Sequence, residues 1–237
     1  MPCRRPVGLQ PVLVLAFDTA TAAITVALYE WIPGEGAAPR GLAEAVDRRR
    51  HTELLTPSIA QVMAEAGAAP ADLSAIAVGV GPGPYTGLRV GLVTARAMGE
   101  ALSVPVHGVC TLDIMAWATK RDGPFAVATD ARRKEVYWAR YDSARFRATE
   151  PAVGPAADVL EGAPGGLPVV GEGATLYPEV LGESGHEPLL PTAGALAELV
   201  VARLSGLKGP ELLPPEPLYL RRPDAREPGP RKKVTPA

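Results

Sequence analysis

The chain has 237 residues, 24 basic and 26 acidic side chains and a formal net charge of −2, so it can bury a core without a disulfide or a metal, as one large domain or two smaller ones. That balance excludes a global field for nucleic acid or an anionic membrane, and aromatics at 5 % exclude an extended base-stacking platform; any such contact has to be local. Two cysteines, Cys3 and Cys110, are too few for a Cys-rich zinc site or a disulfide framework and suit a reducing cytoplasm.

From the N-terminus, Met1-Pro2-Cys3-Arg4-Arg5 lacks a signal peptide's apolar stretch, and no apolar run approaches a membrane span, which predicts a cytoplasmic protein without membrane contact. Val12–Asp18 and Ile24–Trp31 read as strands joined by a hairpin, and Gly41–Arg49 as a more polar third strand near an edge. Leu55, Ile59, Val62, Met63 and Ala66 share one helical face, ended by Gly67; the unstrained start puts Thr56 at the N-cap and Pro57 in the first turn. A strand at Ala75–Val80 leads through a Gly/Pro turn into a helix from about Thr86 to Leu102. Val104–His107, a helical stretch at Thr111–Thr119 and strands at Phe125–Thr129 and Glu135–Tyr141 follow. The order predicts an α/β fold with a mixed sheet that begins as a meander. Residues 151–191 are dense in Pro and Gly before a clean helix at Ala193–Leu204, which predicts a second, less regular lobe; the β-rich starts at Val12 and Phe125 fit halves of a duplicated fold. The expected division is a first lobe over 1–108, a second over 109–215, and a C-terminal segment over 216–237. That last segment anchors through Leu218-Tyr219-Leu220 and ends in a basic, Pro-rich, partly disordered tail.

Gly79-Val80-Gly81-Pro82-Gly83-Pro84-Tyr85-Thr86-Gly87 joins a buried strand to a helix, where phosphate loops occur. It is neither a Walker loop nor a dinucleotide fingerprint, and Pro82 and Pro84 delete amides that a phosphate nest would use, so it reads as a rigid turn. In the helix that follows, Gly87, Gly91, Ala95 and Gly99 recur at every fourth position, flanked by Leu88 and Leu92. Interior glycines cost about 0.5–1 kcal/mol each relative to alanine, so the strip serves close approach, either to the protein's own sheet or to a helix of another subunit. His51-Thr52-Glu53-Leu54-Leu55 has Leu55 where a metal-binding helix would need its second histidine. No metal ligands are assigned, and His51 reads as a helix-start or interface residue. Asp18 and Thr19, after the first strand, are candidates for holding a cation or a nucleotide phosphate, though ordinary turn chemistry uses the same residues. Asp130-Ala131-Arg132-Arg133-Lys134-Glu135 reads as a salt-bridged, solvated hairpin. No nucleophile elbow or Cys/His pair is present, and no catalytic residue is assigned.

Together these segments resemble the TsaB (YeaZ) family of bacterial tRNA threonylcarbamoyladenosine synthesis. The likeness rests on Leu15-Ala16-Phe17-Asp18-Thr19-Ala20-Thr21, on His51-Thr52-Glu53-Leu54-Leu55-Thr56-Pro57 and above all on Gly81 to Gly91. It continues through Asp130-Ala131-Arg132 with Glu135-Val136-Tyr137 and Glu216-Pro217-Leu218-Tyr219-Leu220-Arg221. Pro84-Tyr85 stands where the family usually has Ser-Phe, and 142–215 matches loosely. The resemblance implies an actin-like, Hsp70-type (ribonuclease H-like) fold of two related lobes with mixed sheets. It implies a non-catalytic subunit that binds the paralogue TsaD, where threonylcarbamoyl transfer to the anticodon-adjacent adenosine takes place. The interface would be a four-helix one that uses His51, Leu54, Leu55, Ile59, Gly87, Leu88, Gly91, Leu92, Ala95 and Gly99. The chain would form a homodimer when alone, reach TsaE and tRNA through the TsaB–TsaD complex, bind no cofactor by itself and share an ATP or ADP contact with TsaD. The alternatives are a catalytically active superfamily member, either an ATP-dependent enzyme or a metallopeptidase, and direct tRNA contact through the basic tail.

Overall fold

Along β1 (Val12–Asp18) consecutive apolar residues serve opposite faces: Leu15 and Phe17 enter one core, Val14 and Ala16 another. A strand covered on both sides needs this continuous apolar text. The computed structural model describes residues 11–32, 34–163, 165–182 and 187–221; Cys3, His186 and the tail from Arg222 onward lie outside the described residues. β2 (Ala23–Ile32) returns antiparallel to β1, with Asp18 opposite Thr25, and β3 (Gly36–Val46) forms the edge beyond it. β4 (Ala75–Gly79) and β5 (Val106–Val109) run parallel to β1, giving the order β3-β2-β1-β4-β5. β3 begins five residues before the expected Gly41, because pairing with β2 continues through a bulge at Leu28/Tyr29. It stops at Val46, where the Asp47 carboxylate accepts the backbone N–H groups of Arg49 and Arg50 and turns the chain.

α1 (His51–Glu65) starts at His51 and keeps Pro57 inside it, which corrects the expected start at Thr56. Pro57 cannot donate to the Glu53 carbonyl, but both residues are exposed, so water can take that acceptor. Burial of His51, Leu55, Ile59, Val62 and Met63 holds the helix through the gap. Gly67, at φ 63°, ends it; Ala68 N–H donates to the Met63 carbonyl and Gly67 N–H to that of Ala64. α2 (Tyr85–Leu102) lies beside α1 on the same face of the first sheet.

After α3 (Thr111–Thr119) the second sheet forms from β6 (Phe125–Arg132), β7 (Glu135–Ser143), β8 (Phe146–Arg147), β9 (Ala152–Pro155) and β10 (Val169–Val170). Its order is β10-β6-β7-β8, with β9 also on β7. An antiparallel hairpin with a strand parallel to its first member therefore occurs twice, as β1-β2 with β4 and as β6-β7 with β10. This is the mixed-sheet α/β architecture expected, with its hairpin-led unit present twice. α4 (Glu172–Leu176) and α5 (Pro178–Leu181) cover part of the second sheet.

α6 (Ala193–Leu204) departs from the expected division at residue 108. It packs on β1, β2 and β4, with Leu196, Leu199 and Val200 against Val14, Ala16, Ala27 and Ala77, so it is a layer of the first lobe. Chain order placed it after the second lobe, but its apolar side completes the cluster on the face of the first sheet opposite α1 and α2. The segment beyond returns too: Leu213 bridges Gly108, and Leu218 N–H donates to the Val80 carbonyl. Leu196→Ala is expected to cost about 2–5 kcal/mol in urea denaturation, as for a buried leucine in a close-packed core; a loss below about 1 kcal/mol would contradict its place in this layer.

Candidate functional site

The β1–β2 turn and the start of α2 meet through side chains wholly withdrawn from solvent. Asp18 is fully buried; its Oδ1 accepts Ala20 N–H at 2.7 Å and its Oδ2 accepts the Thr111 hydroxyl at 2.8 Å. Burial raises its pKa, while these two donors and the charge field of His51 act in the opposite direction. The Thr19 hydroxyl donates to the Gly87 carbonyl at 2.8 Å and accepts Gly91 N–H at 3.1 Å. His51 Nε2–H donates to the Thr21 carbonyl at 2.8 Å, tying the start of α1 to the same turn. Asp18 and Thr19, the candidates for a nucleotide contact, thus fasten the turn: both are buried and their side-chain oxygens meet internal partners.

The glycine strip is an internal surface as well. A Cβ on Gly87 would stand 2.5 Å from the Thr19 carbonyl oxygen, one on Gly91 would stand 2.5 Å from Thr19 Oγ1, and one on Gly99 would collide with Val106. Ala95, Leu88, Leu92, Leu55 and Ile59 are buried in the same core as Phe17 and Val78, and His51 is 8 % exposed. Of the ten residues expected to face a partner, only Leu54 is partly open. Helical periodicity put these residues on one face, which the expectation gave to a partner; in the structure that face packs on the chain's own turn and sheet. The outward face of α2 carries Thr86, Arg89, Val93 and Ala97 instead, and Val93 is 65 % exposed.

Beside the turn, between the two sheets, lies a cleft of about 880 Å³. Its walls carry Arg48, Arg49, Arg132, Arg133 and Arg221 against the carboxylates of Asp130 and Glu172. Arg48 pairs with Asp130 at 2.9 Å and reaches Glu172 at 3.8 Å, joining the lobes across it. Arg221 pairs with Glu135 and donates to the Ala131 carbonyl at 3.1 Å. The β6–β7 turn is strained: Arg132, Arg133 and Lys134 lie at φ 60°, 56° and 63°, a left-handed conformation that costs a side-chain-bearing residue about 1–2 kcal/mol. Asp130 Oδ1 stabilises it by accepting Arg132 N–H at 2.7 Å. At the lip, Tyr85 and Tyr219 stack with centroids 5.3 Å apart, and the Arg89 guanidinium sits 4.0 Å from the Tyr85 ring centre. The expected solvated hairpin at 130–135 is therefore one wall of a cleft, its ion-pair partners coming from distant segments.

A second polar group escaped sequence reasoning. Asp113 is buried; its Oδ1 accepts the Tyr141 hydroxyl at 2.8 Å, and Arg147 Nη1 donates to both of its oxygens, at 3.0 and 2.8 Å. Cys110 lies beside it, its thiol pushed up by burial and then by the Asp113 charge, a setting that keeps it protonated and unreactive. Only the apolar environment of a lone charge in α3 hinted at this network. Among the described residues no three His, Cys, Asp or Glu side chains are grouped to hold a metal ion, and no helix is long and apolar enough to cross a membrane.

Comparison with known proteins adds the following. A family model described as TsaD, tRNA N6-adenosine threonylcarbamoyltransferase, matches residues 36–176. An uncharacterized protein of Mycobacterium leprae (strain TN) is 46 % identical over 90 % of this chain; the chain spans 56 % of that relative's length. The tRNA threonylcarbamoyladenosine biosynthesis protein TsaB of Escherichia coli (strain K12) is 33 % identical over 88 % of this chain and 94 % of its own. Among solved structures, YeaZ from Pseudomonas aeruginosa superposes with a TM-score of 0.71 at 30 % identity, covering 88 % of this chain and all of the other.

Two measurements check the turn. A carboxyl whose folded pKa lies above its unfolded value of 3.8 binds more protons folded than unfolded, so it weakens the fold as pH rises through that interval. The melting temperature of Asp18→Asn relative to the unchanged protein is accordingly expected to climb as pH is raised from 3.8 toward neutrality; a constant difference would contradict the raised value. Gly91→Leu is expected to lose at least about 1–3 kcal/mol in chemical denaturation through overpacking against Thr19, and a variant of unchanged stability would refute the internal role of the strip.

Proposed function

The chain belongs to the TsaB family, and from that premise we propose that it is a non-catalytic subunit of tRNA threonylcarbamoyladenosine biosynthesis, docking TsaD through the outward faces of α1 and α2. The observation that carries the reading is the exposed side of α2. Val93 and Ala97 are open to solvent there, with partly buried Val90 and Met98 beside them and Leu54 of α1 across the groove. An apolar patch on two adjacent helices suits helix-against-helix packing with a partner that presents a similar pair. The glycines contribute indirectly, by setting α2 close to its own sheet and fixing the height of that ridge.

A scaffold role agrees with the chemistry of the turn, where Asp18 and Thr19 are buried and tied into internal hydrogen bonds. An ATP-dependent enzyme or a metallopeptidase would need free carboxylates or a ligand group at this position. In this reading the chain works in the cytoplasm, self-associates through the same ridge when TsaD is absent, and meets TsaE and tRNA within the TsaB–TsaD complex. Any ATP or ADP contact is one shared with TsaD.

Val93→Glu tests the ridge without disturbing the core. The variant is expected to keep the melting temperature of the unchanged chain and to bind TsaD at least about tenfold more weakly in calorimetric titration, as for a charge buried unpaired in an interface. Equal affinity would overturn the docking face. Nucleotide or peptide hydrolysis by the purified chain alone would overturn the non-catalytic reading.

A further inference from the structure

We infer that the cleft between the two sheets is a binding site for a single-stranded RNA segment, with phosphates held by Arg49 and Arg132 and a base stacked at the Tyr219 lip. The chain as a whole is at −2, yet the cleft lining gathers five arginines, with the carboxylates of Asp130 and Glu172 among them and Glu135 beside it on Arg221. Positive charge is thus concentrated in one concave place on an otherwise balanced protein, as an electrostatic footprint for a polyanion requires.

The arginines are not equivalent. Arg48 and Arg221 are committed to Asp130 and Glu135 and brace the walls. Neither Arg49 nor Arg132 has a carboxylate partner among the described residues, and both are exposed on the cleft lining. Arg132 stands there because the turn is held in its left-handed conformation by Asp130 from within and by Arg221 on the Ala131 carbonyl. Backbone strain kept in place by two separate fastenings, at the position that aims a free guanidinium into a cleft, is the pattern of a binding turn.

The aromatic lip separates RNA from a simple anion. Tyr85 has Tyr219 against it and Arg89 over its face, while Tyr219 keeps 39 % of its surface open. A base can extend this stack, and stacking of bases on aromatic rings beside a basic groove is how single strands are held without sequence readout. The volume of about 880 Å³ accommodates a nucleotide unit together with its flanking phosphates.

The inference rests on the cleft and not on the docking helices, and it is tested on the full chain without TsaD, so either reading can fail alone. The probe is a short, mixed-sequence, fluorescein-labelled single-stranded oligoribonucleotide followed by anisotropy. With two phosphates neutralised, affinity is expected to fall about sevenfold between about 50 and 200 mM salt. Arg49→Gln with Arg132→Gln should weaken binding and flatten the logarithmic salt slope by about 1.4. Tyr219→Ala should weaken it about fivefold or more, and Tyr219→Phe should restore it. If the double variant melts early, Arg49→Gln alone carries the charge test, since that side chain makes no ion pair among the described residues. Absence of binding, or binding indifferent to these substitutions and so lodged on another surface such as residues 222–237, would overturn the proposal. So would displacement of the RNA by ADP or tripolyphosphate at comparable concentration with no effect of Tyr219→Ala, which would make the cleft a pocket for free anions.

Discussion

The closest approach in the molecule is between the turn after β1 and the backbone of the segment that leads into α2. Gly79 lies against the Asp18 carboxylate, Gly83 against the Ala20 carbonyl, and Gly87 and Gly91 against Thr19. Side chains at these positions would push α2 off the sheet, and the hydrogen bonds of Thr19 to Gly87 and Gly91 would break together. At Gly83 and Gly87 the contact is with backbone carbonyls, and at Gly79 and Gly91 with side chains that are themselves buried and hydrogen-bonded, so repacking a neighbour gives little relief. The position of α2, the enclosure of Asp18 and the shape of the cleft wall all follow from it.

Enclosure determines the chemistry left at the turn. A carboxylate and a hydroxyl at the end of the first strand would be fit to hold a phosphate or a cation if they faced solvent. Here both serve the fold, and burial raises the pKa of Asp18. What the molecule offers outward lies elsewhere: an apolar ridge on α1 and α2, and a basic cleft bounded by the β6–β7 turn and the returning C-terminal segment. The two lie on either side of the same glycine contact, one on the outer face of α2 and the other at its N-terminal end.

The second lobe has a core on each face of its sheet and is tied to the rest of the chain by long-range fastenings. Arg48 reaches from the end of the first lobe to Asp130 and Glu172, and Arg221 reaches from the last described residues to Glu135 and Ala131. Exposed ion pairs contribute little apiece, but these bridge segments far apart in sequence and hold a strained turn at one orientation. The Asp113, Tyr141 and Arg147 group plays a comparable part inside, joining α3 to β7 and β8 with every carboxylate oxygen paired.

Residue pattern placed the strand at Val12–Asp18 and the helix at Ala193–Leu204 at their observed bounds, and the expected Ala75–Val80 strand and the helix from about Thr86 to Leu102 within a residue of theirs, together with the mixed sheet and the residues that share one face of α2. These are local or periodic properties, and burial writes them into consecutive residues. The start of α1 was misread because an isolated Pro57 argues against a helix that the core then maintains. What covers the buried face of α2, which sheet receives α6, and which arginine meets Asp130 or Glu135 belonged to the tertiary structure. Each joins residues far apart in sequence, and a glycine strip or a lone charge looks the same whether its neighbour is the chain's own backbone, another subunit or solvent.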